Sequence, residues 1–171
     1  PIHAVGEGHR DLVLTHLLER MLEVDLAAID VVAGLLERVA DIGDVAFRSR
    51  YRLEMSHEDI ERRVNQIVDA GVLPLSVGGD HSITHPILKA VGKNRPVGMI
   101  HIDAHCDTGG AYDLTKFHHG GPFRNAVLDG VLDPTRTIQI GIRGAAEYLW
   151  EFSYESGMTV IHAGLIGELP Q

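Results

Sequence analysis

Hydrophobic positions in the first part of the chain recur at helical spacing. Leucine, methionine, isoleucine and valine follow one another every three or four residues between positions 9 and 38, with charged residues between them. The pattern predicts a helix over residues 9–38, broken near Gly34. The apolar and acidic stretch at residues 38–45 predicts a strand or a strand end, punctuated by Gly43.

Strands and helices are predicted to alternate along the rest of the chain. Ser56 and Asp59 are spaced like a capping box, which predicts the start of a helix that Gly71 ends. The further elements are predicted strands at residues 72–77, 97–102, 137–142 and 158–162, predicted helices at residues 86–94 and 122–128, and a turn at Asp133-Pro134. Strands that alternate with helices pair in parallel, so we expect an α/β domain on a parallel sheet.

The composition limits the classes of function. The 171 residues include 15 basic and 24 acidic side chains, a formal net charge of −9. This acidic surplus disfavours nucleic acid as a partner and fits cationic ligands such as metal ions, guanidinium compounds and amines. No apolar run reaches the roughly 20 residues that cross a membrane, so no membrane partner is expected. No secretory signal follows Pro1, which predicts a cytoplasmic protein.

Histidine is the residue type whose distribution indicates a site. The chain has 11 histidines. Six of them fall in one short stretch: His81, His85, His101, His105, His118 and His119. The single cysteine, Cys106, excludes an internal disulfide and a zinc site of several cysteines.

Two motifs at predicted strand ends carry the chemistry. Gly78-Gly-Asp-His-Ser82 follows the first predicted strand, and Asp103-Ala-His-Cys-Asp107 follows the second. Ligands of an open parallel sheet bind beyond the carboxyl ends of its strands. An extended backbone would place Asp103, His105 and Asp107 on one face and point Cys106 the other way, as a packed residue. Carboxylates with imidazole suit manganese, iron, zinc or nickel, and paired metals activate water for hydrolysis.

These motifs resemble the ureohydrolase (arginase and agmatinase) family. Residues 39–160 are similar to its agmatinase and guanidino-acid hydrolase branch more than to arginase proper. The resemblance also lies in His119-Gly-Gly-Pro-Phe-Arg124 and Thr137-Ile-Gln-Ile-Gly-Ile-Arg-Gly144. It implies an arginase-like α/β fold, three layers with helices flanking a parallel sheet, which is incomplete here. We expect one domain over residues 1–171, with an unmatched helical part at 1–38 and the family-like core at 39–171.

The resemblance further implies a site with two Mn²⁺ ions. Asp103 would bridge the ions, His81 and Asp107 would bind one, and His105 would bind the other. His119 would shuttle protons or orient the substrate. The implied reaction is hydrolysis of a small guanidino compound, agmatine or a guanidino acid, to urea and an amine. Family members are usually oligomers, so a homo-oligomer is expected.

The family's second half is not matched in this sequence. Its Asp-x-Asp motif, which completes both metal shells, has no counterpart after Ile161. We therefore expect the sheet to expose an unpaired edge, and the 171-residue chain to bind metal weakly and turn over slowly or not at all. Two alternatives are a catalytically silent ureohydrolase-like fragment with a structural or interaction role, and a metal hydrolase of different bond specificity.

The other polar candidates are given structural roles from the sequence. His101 is predicted to be a core residue or to support the ligands, His85 to be structural, and His118 to be a solvated loop residue. Arg143 is predicted either to face the substrate or to have a surface or salt-bridged role. The remaining histidines have no motif around them: His3, His9, His16, His57 and His162.

Overall fold

The computed structural model describes residues 39–144 and 149–168 of the chain. The chain divides into two compact units, Pro1–Asp44 and Val45–Gln171. The helix predicted at residues 9–38 lies outside the described residues. Residues 39–45 have no regular secondary structure, so a strand is a wrong prediction there. A single domain over 1–171 stays a prediction.

The second unit is built on a parallel sheet flanked by helices. Its strands are β1 (Val97–Ile102), β2 (Leu132–Ile142) and β3 (Thr159–His162), and they lie in the order β1-β2-β3. Both pairings are parallel. The α-helices are α1 (Leu53–Asp69), α2 (Thr84–Val91), α3 (Pro122–Leu128) and α4 (Glu151–Ser156), and the 3₁₀ helices are His81–Ile83 and Ala163–Glu168. The predicted α/β fold class is therefore confirmed. None of the described helices is long and apolar enough to cross a membrane.

The predicted strand at residues 72–77 is absent. This segment has no regular secondary structure, and Leu73, Leu75 and Val77 are 93%, 86% and 92% exposed. A strand forms only where a partner accepts and donates its backbone hydrogen bonds, and no described segment pairs with this one. The outer edge of β1 is also open among the described residues. Ile100 and Ile102, which lie on one face of this strand, are exposed.

The start of β2 differs from the predicted turn at Asp133-Pro134. β2 begins before these residues, at Leu132. In the ladder with β1, Val97 lies opposite Leu132 and Met99 opposite Thr137, so the residues between Leu132 and Thr137 form an irregularity in the pairing. A bulge of this kind tolerates proline because the local ladder is already interrupted.

The start of α1 also differs from the prediction. The helix begins at Leu53 with Arg52 at its N-cap, so the capping box at Ser56 is wrong. Asp59 is instead buried, and it accepts hydrogen bonds from the Arg48 amide at 2.8 Å and from the guanidinium of Arg62 at 2.5 Å. The bond from the Arg48 amide, aided by both guanidinium groups and opposed by burial, lowers the pKa of Asp59.

Two apolar clusters hold the helices in place. The larger one lies between the sheet and helices α2 and α3, and its buried members are Leu88, Phe123, Ala126, Leu132 and Met158. The smaller one joins α1 to α2 through Ile60, Val64 and Ala90. Burial of such side chains is the main force that stabilises a domain of this size. Through the larger cluster, α2 and α3 pack against each other and against the sheet.

Candidate metal centre

The backbone after β1 bends sharply. β1 ends at Ile102, residues 103–105 form a bend, and Asp107 has a φ of 49°. The expectation that an extended chain aligns the ligand side chains is therefore wrong. Gly141 has a φ of 92°, and a Cβ there would lie 3.1 Å from the Asp103 carbonyl oxygen, so only glycine fits without strain. The close approach of β2 to the backbone at Asp103 therefore depends on this glycine.

His81 reaches the cluster from a separate loop. Asp80 caps the 3₁₀ helix at His81, and its Oδ1 accepts a hydrogen bond from the Ser82 amide at 2.9 Å. This turn places His81 Nδ1 2.5 Å from Asp107 Oδ2 and 3.9 Å from Asp103 Oδ2. The two motifs predicted to meet at the carboxyl edge of the sheet therefore do meet, since one imidazole nitrogen contacts carboxylates of the other motif.

Asp103 lies at the centre of the cluster. Its Oδ1 accepts a hydrogen bond from the His105 amide at 2.9 Å and lies 3.7 Å from His105 Nδ1. Burial raises the pKa of Asp103, but the His105 amide and the nearby His101 and His81 rings outweigh it, and the net pKa is lowered. The carboxylate is thus held in its ionised form, which is the form that binds a cation.

His101 is an additional member of the cluster. Its ring is buried, and Nε2 lies 3.6 Å from Asp103 Oδ2. In the part of the chain that the structure describes, this nitrogen has no hydrogen-bond partner. Burial lowers the pKa of His101, which favours the neutral ring. Among the described residues, His81, His101 and Asp103 each offer one ligand atom within 4.8 Å of the others. The supporting position predicted for His101 agrees with its burial beside Asp103.

A cavity of about 230 Å³ opens beside this cluster. His105, Asp107, His119, Leu149 and Trp150 contribute to its lining. The His119 side chain is 76% exposed, and its Nδ1 lies 3.7 Å from Asp80 Oδ2. Trp150 has no predicted role in the sequence, because its contact with the cavity depends on tertiary packing.

The other sequence candidates occupy structural positions. Cys106 is buried, and burial raises the pKa of its thiol, as expected for a packed residue. His85 Nε2 lies 2.8 Å from Asp129 Oδ2 beneath the surface. His118 is not simply solvated, because its Nε2 donates to the Gly110 carbonyl at 2.8 Å. Arg143 is exposed and donates to the Gly141 carbonyl at 3.0 Å, which agrees with a surface role.

His57 is a buried residue that the sequence left without a role. It lies on α1, is 5% exposed, and its Nε2 is 3.1 Å from Ser82 Oγ, next to His81 in the chain. No local pattern connects positions 57 and 82, so this contact had no signal in the sequence. Burial, and to a lesser degree the neighbouring His85, lower the pKa of His57 to about 4.

The His57 pKa predicts a specific pH dependence of stability. In the unfolded chain His57 binds a proton near pH 6.5, whereas in the folded chain it does so only near pH 4. The free energy of unfolding therefore falls as the pH drops from 6.5 towards 4. This difference between the two pKa values of His57 corresponds to a loss of unfolding free energy on the order of 3 kcal/mol. In urea unfolding, His57→Gln should therefore show a smaller loss than the wild type over this range. Between pH 7 and 9 the two curves should run parallel, and parallel curves below pH 6.5 would contradict the prediction.

The fold and the cluster define a class: a parallel α/β protein with a histidine and aspartate centre beyond the carboxyl ends of its strands. The chain matches the model of the arginase family over residues 18–170. The chain therefore belongs to the arginase family, as the resemblance of its motifs indicated.

Named relatives and a solved structure agree with this assignment. The chain is 48% identical to guanidinopropionase of Pseudomonas aeruginosa over 130 residues, which are 74% of this chain and 41% of that protein. It is 45% identical to mitochondrial agmatinase of Gallus gallus over 128 residues, 73% of this chain and 37% of that protein. The structure of proclavaminate amidino hydrolase from Streptomyces clavuligerus superposes with a TM-score of 0.70 at 32% identity, covering 77% of this chain and 44% of that one.

Proposed function

We propose that this protein hydrolyses a small guanidino compound to urea and an amine. The observation that carries the proposal is the convergence of His81 with Asp103 and Asp107, at 3.9 Å and 2.5 Å, at the carboxyl edge of a parallel sheet. The names of the two relatives support a guanidino substrate, so agmatine or a guanidino acid is favoured over arginine. The chain spans 41% and 37% of those relatives, and the activity is proposed for the whole protein.

The cluster fits a pair of divalent cations, which we propose to be Mn²⁺. Carboxylate oxygen and imidazole nitrogen are ligand types that suit manganese. His81, Asp103, His105 and Asp107 would hold the ions, with Asp103 shared between them. Such ions would supply Lewis acidity and lower the pKa of water for hydrolysis.

The residues around the cavity would bind the substrate and move its protons. His119 lies on the cavity wall, and its side chain is 76% exposed. Histidine is the side chain that most often transfers protons in catalysis, so His119 would shuttle protons or orient the substrate. Trp150 on the same wall offers an aromatic surface, to which guanidinium groups are attracted. A homo-oligomer in the cytoplasm stays a prediction for the assembly and its location.

A urea-release assay tests this function. The protein purified from its natural source is loaded with Mn²⁺ and offered agmatine, guanidinopropionate, guanidinobutyrate, arginine and a simple amide. We expect urea from agmatine or a guanidino acid, less from arginine, and no hydrolysis of the amide. Amide hydrolysis without urea release would favour a hydrolase of different bond specificity, and no turnover at all would favour a silent protein.

The same assay on the isolated 171-residue chain tests the expectation of weak activity. With four proposed ligands, one ion would receive only Asp103 and His105. We therefore expect the 171-residue chain to release urea slowly and to require a high Mn²⁺ concentration. Fast release at low Mn²⁺ would show that these residues are sufficient by themselves.

A further inference from the structure

Gln139 lies beside His101 in the interior of the sheet. The two residues are paired across β2 and β1, so their side chains share one face. Gln139 is fully buried, and His101 is 7% exposed beneath the ring of Phe123. A buried glutamine is uncommon and needs hydrogen-bond partners, so its contacts report what this position requires.

The orientation of the Gln139 amide follows from its neighbours. Its Nε2 lies 2.7 Å from the Cys106 carbonyl oxygen and 3.1 Å from His101 Nδ1. A backbone carbonyl only accepts hydrogen bonds, so the amide must present its nitrogen to Cys106. The reversed amide would bring two carbonyl oxygens to 2.7 Å, which is repulsive. Nε2 faces Cys106 although this leaves Oε1 buried with no hydrogen-bond partner among the described residues.

The amide orientation in turn sets the tautomer of His101. One hydrogen of the Gln139 amide points to Cys106, and the other points to His101 Nδ1, which must therefore carry a lone pair. If Nδ1 carried a proton, its N–H would face the N–H of the Gln139 amide, and two donors cannot form a hydrogen bond with each other. The ring proton is consequently on Nε2, which faces Asp103 Oδ2 at 3.6 Å.

This tautomer decides which members of the cluster of His81, His101 and Asp103 can bind a metal ion. A protonated Nε2 has no lone pair for a metal, so His101 is not a ligand although its distance permits it. The N–H of His101 instead faces Asp103 Oδ2 at 3.6 Å, beyond hydrogen-bond distance, while Oδ1 accepts a hydrogen bond from the His105 amide at 2.9 Å. A carboxylate has about four lone-pair sites, so at least one on each oxygen stays available for a cation.

We propose that Gln139 is a positioning residue that holds His101 as the Nε2–H tautomer and thereby orients the Asp103 carboxylate. The part of the inference that concerns metal rests on the proposed function, whereas the tautomer does not. Groups that orient a ligand in this way commonly change metal affinity by about 10- to 100-fold when they are replaced.

Nitrogen NMR of the metal-free 171-residue chain tests the tautomer. In ¹⁵N-labelled protein, the two-bond ¹H–¹⁵N correlations of each histidine ring distinguish a protonated nitrogen from one with a lone pair. The His101 ring is assigned by its absence in His101→Gln. We expect the proton on Nε2. A proton on Nδ1, or a doubly protonated ring at pH 7.5, would overturn the inference.

Two variants and one control test the role of Gln139. Gln139→Glu presents an acceptor to the ring and should move the proton to Nδ1, while Gln139→Met conserves volume and should leave a mixture of tautomers. Thr137→Val is the matched control, because Thr137 is also buried on this face of β2 but donates to the Asp133 carbonyl at 2.8 Å. It should keep the wild-type tautomer whatever its effect on stability.

Mn²⁺ affinity completes the test in the protein expressed from its complete gene. Water-proton relaxation titration with Mn²⁺ should give a dissociation constant about 10- to 100-fold higher for Gln139→Glu and unchanged for Thr137→Val. Unchanged affinity with a switched tautomer would refute the positioning role. If the wild type binds no Mn²⁺, the proposed function and the metal part of the inference fail, while the tautomer result still decides whether Gln139 controls His101.

Discussion

Replacing Asp103 by alanine is expected to abolish Mn²⁺ binding in the protein expressed from its complete gene. Asp103 is the carboxylate that the other groups share: His81, His101 and His105 have ring nitrogens 3.9, 3.6 and 3.7 Å from its oxygens. As the proposed bridge between the two ions, its loss removes a ligand from both. Atomic absorption after dialysis should then find less than one tenth of the wild-type manganese per chain.

The matched control for this change is Asp44→Ala. Asp44 is exposed and lies outside both ligand motifs, so its replacement should retain the wild-type metal content. Far-UV circular dichroism of both variants should match the wild type, which separates loss of metal from loss of fold. A full complement of manganese in Asp103→Ala would refute the bridging assignment.

Replacing Phe123 by alanine is expected to lower the free energy of unfolding by about 3–5 kcal/mol. Phe123 is 1% exposed within the larger apolar cluster, so its removal leaves a cavity in addition to the lost burial. Its ring also contacts the rings of His81 at 5.5 Å and His101 at 4.4 Å. Urea unfolding at pH 7.5 measures the loss.

The control for this prediction is Phe47→Ala. Phe47 is 48% exposed, so its truncation should change the free energy of unfolding by only about 0.5 kcal/mol. Similar losses for the two variants would show that the cluster around Phe123 does not dominate the stability of this unit. A loss confined to Phe123→Ala would place the main core directly behind the proposed ligands.

Elements with a strong local pattern were predicted well. β1 has the bounds predicted from its apolar run, and α3 begins at Pro122, a residue type suited to the first turn of a helix. The short helix α4 was missed because its six residues include few apolar positions, although Gly157 ends it with a φ of 97°. Residues 72–77 have an equally apolar pattern, but strand formation there depends on a partner rather than on the local sequence.

The sequence by itself indicated the types of the proposed ligands, and it placed Asp103, His105 and Asp107 directly after β1, because their motif follows a predicted strand. Only the tertiary structure decided which groups support them. His57 meets Ser82 across 25 positions, and Gln139 meets His101 across 38. Such contacts arise from helix packing and strand register, which bring distant residues together without any local periodicity. The bend at Asp103 follows the last residue pair of the β1–β2 ladder, Ile102 with Ile140.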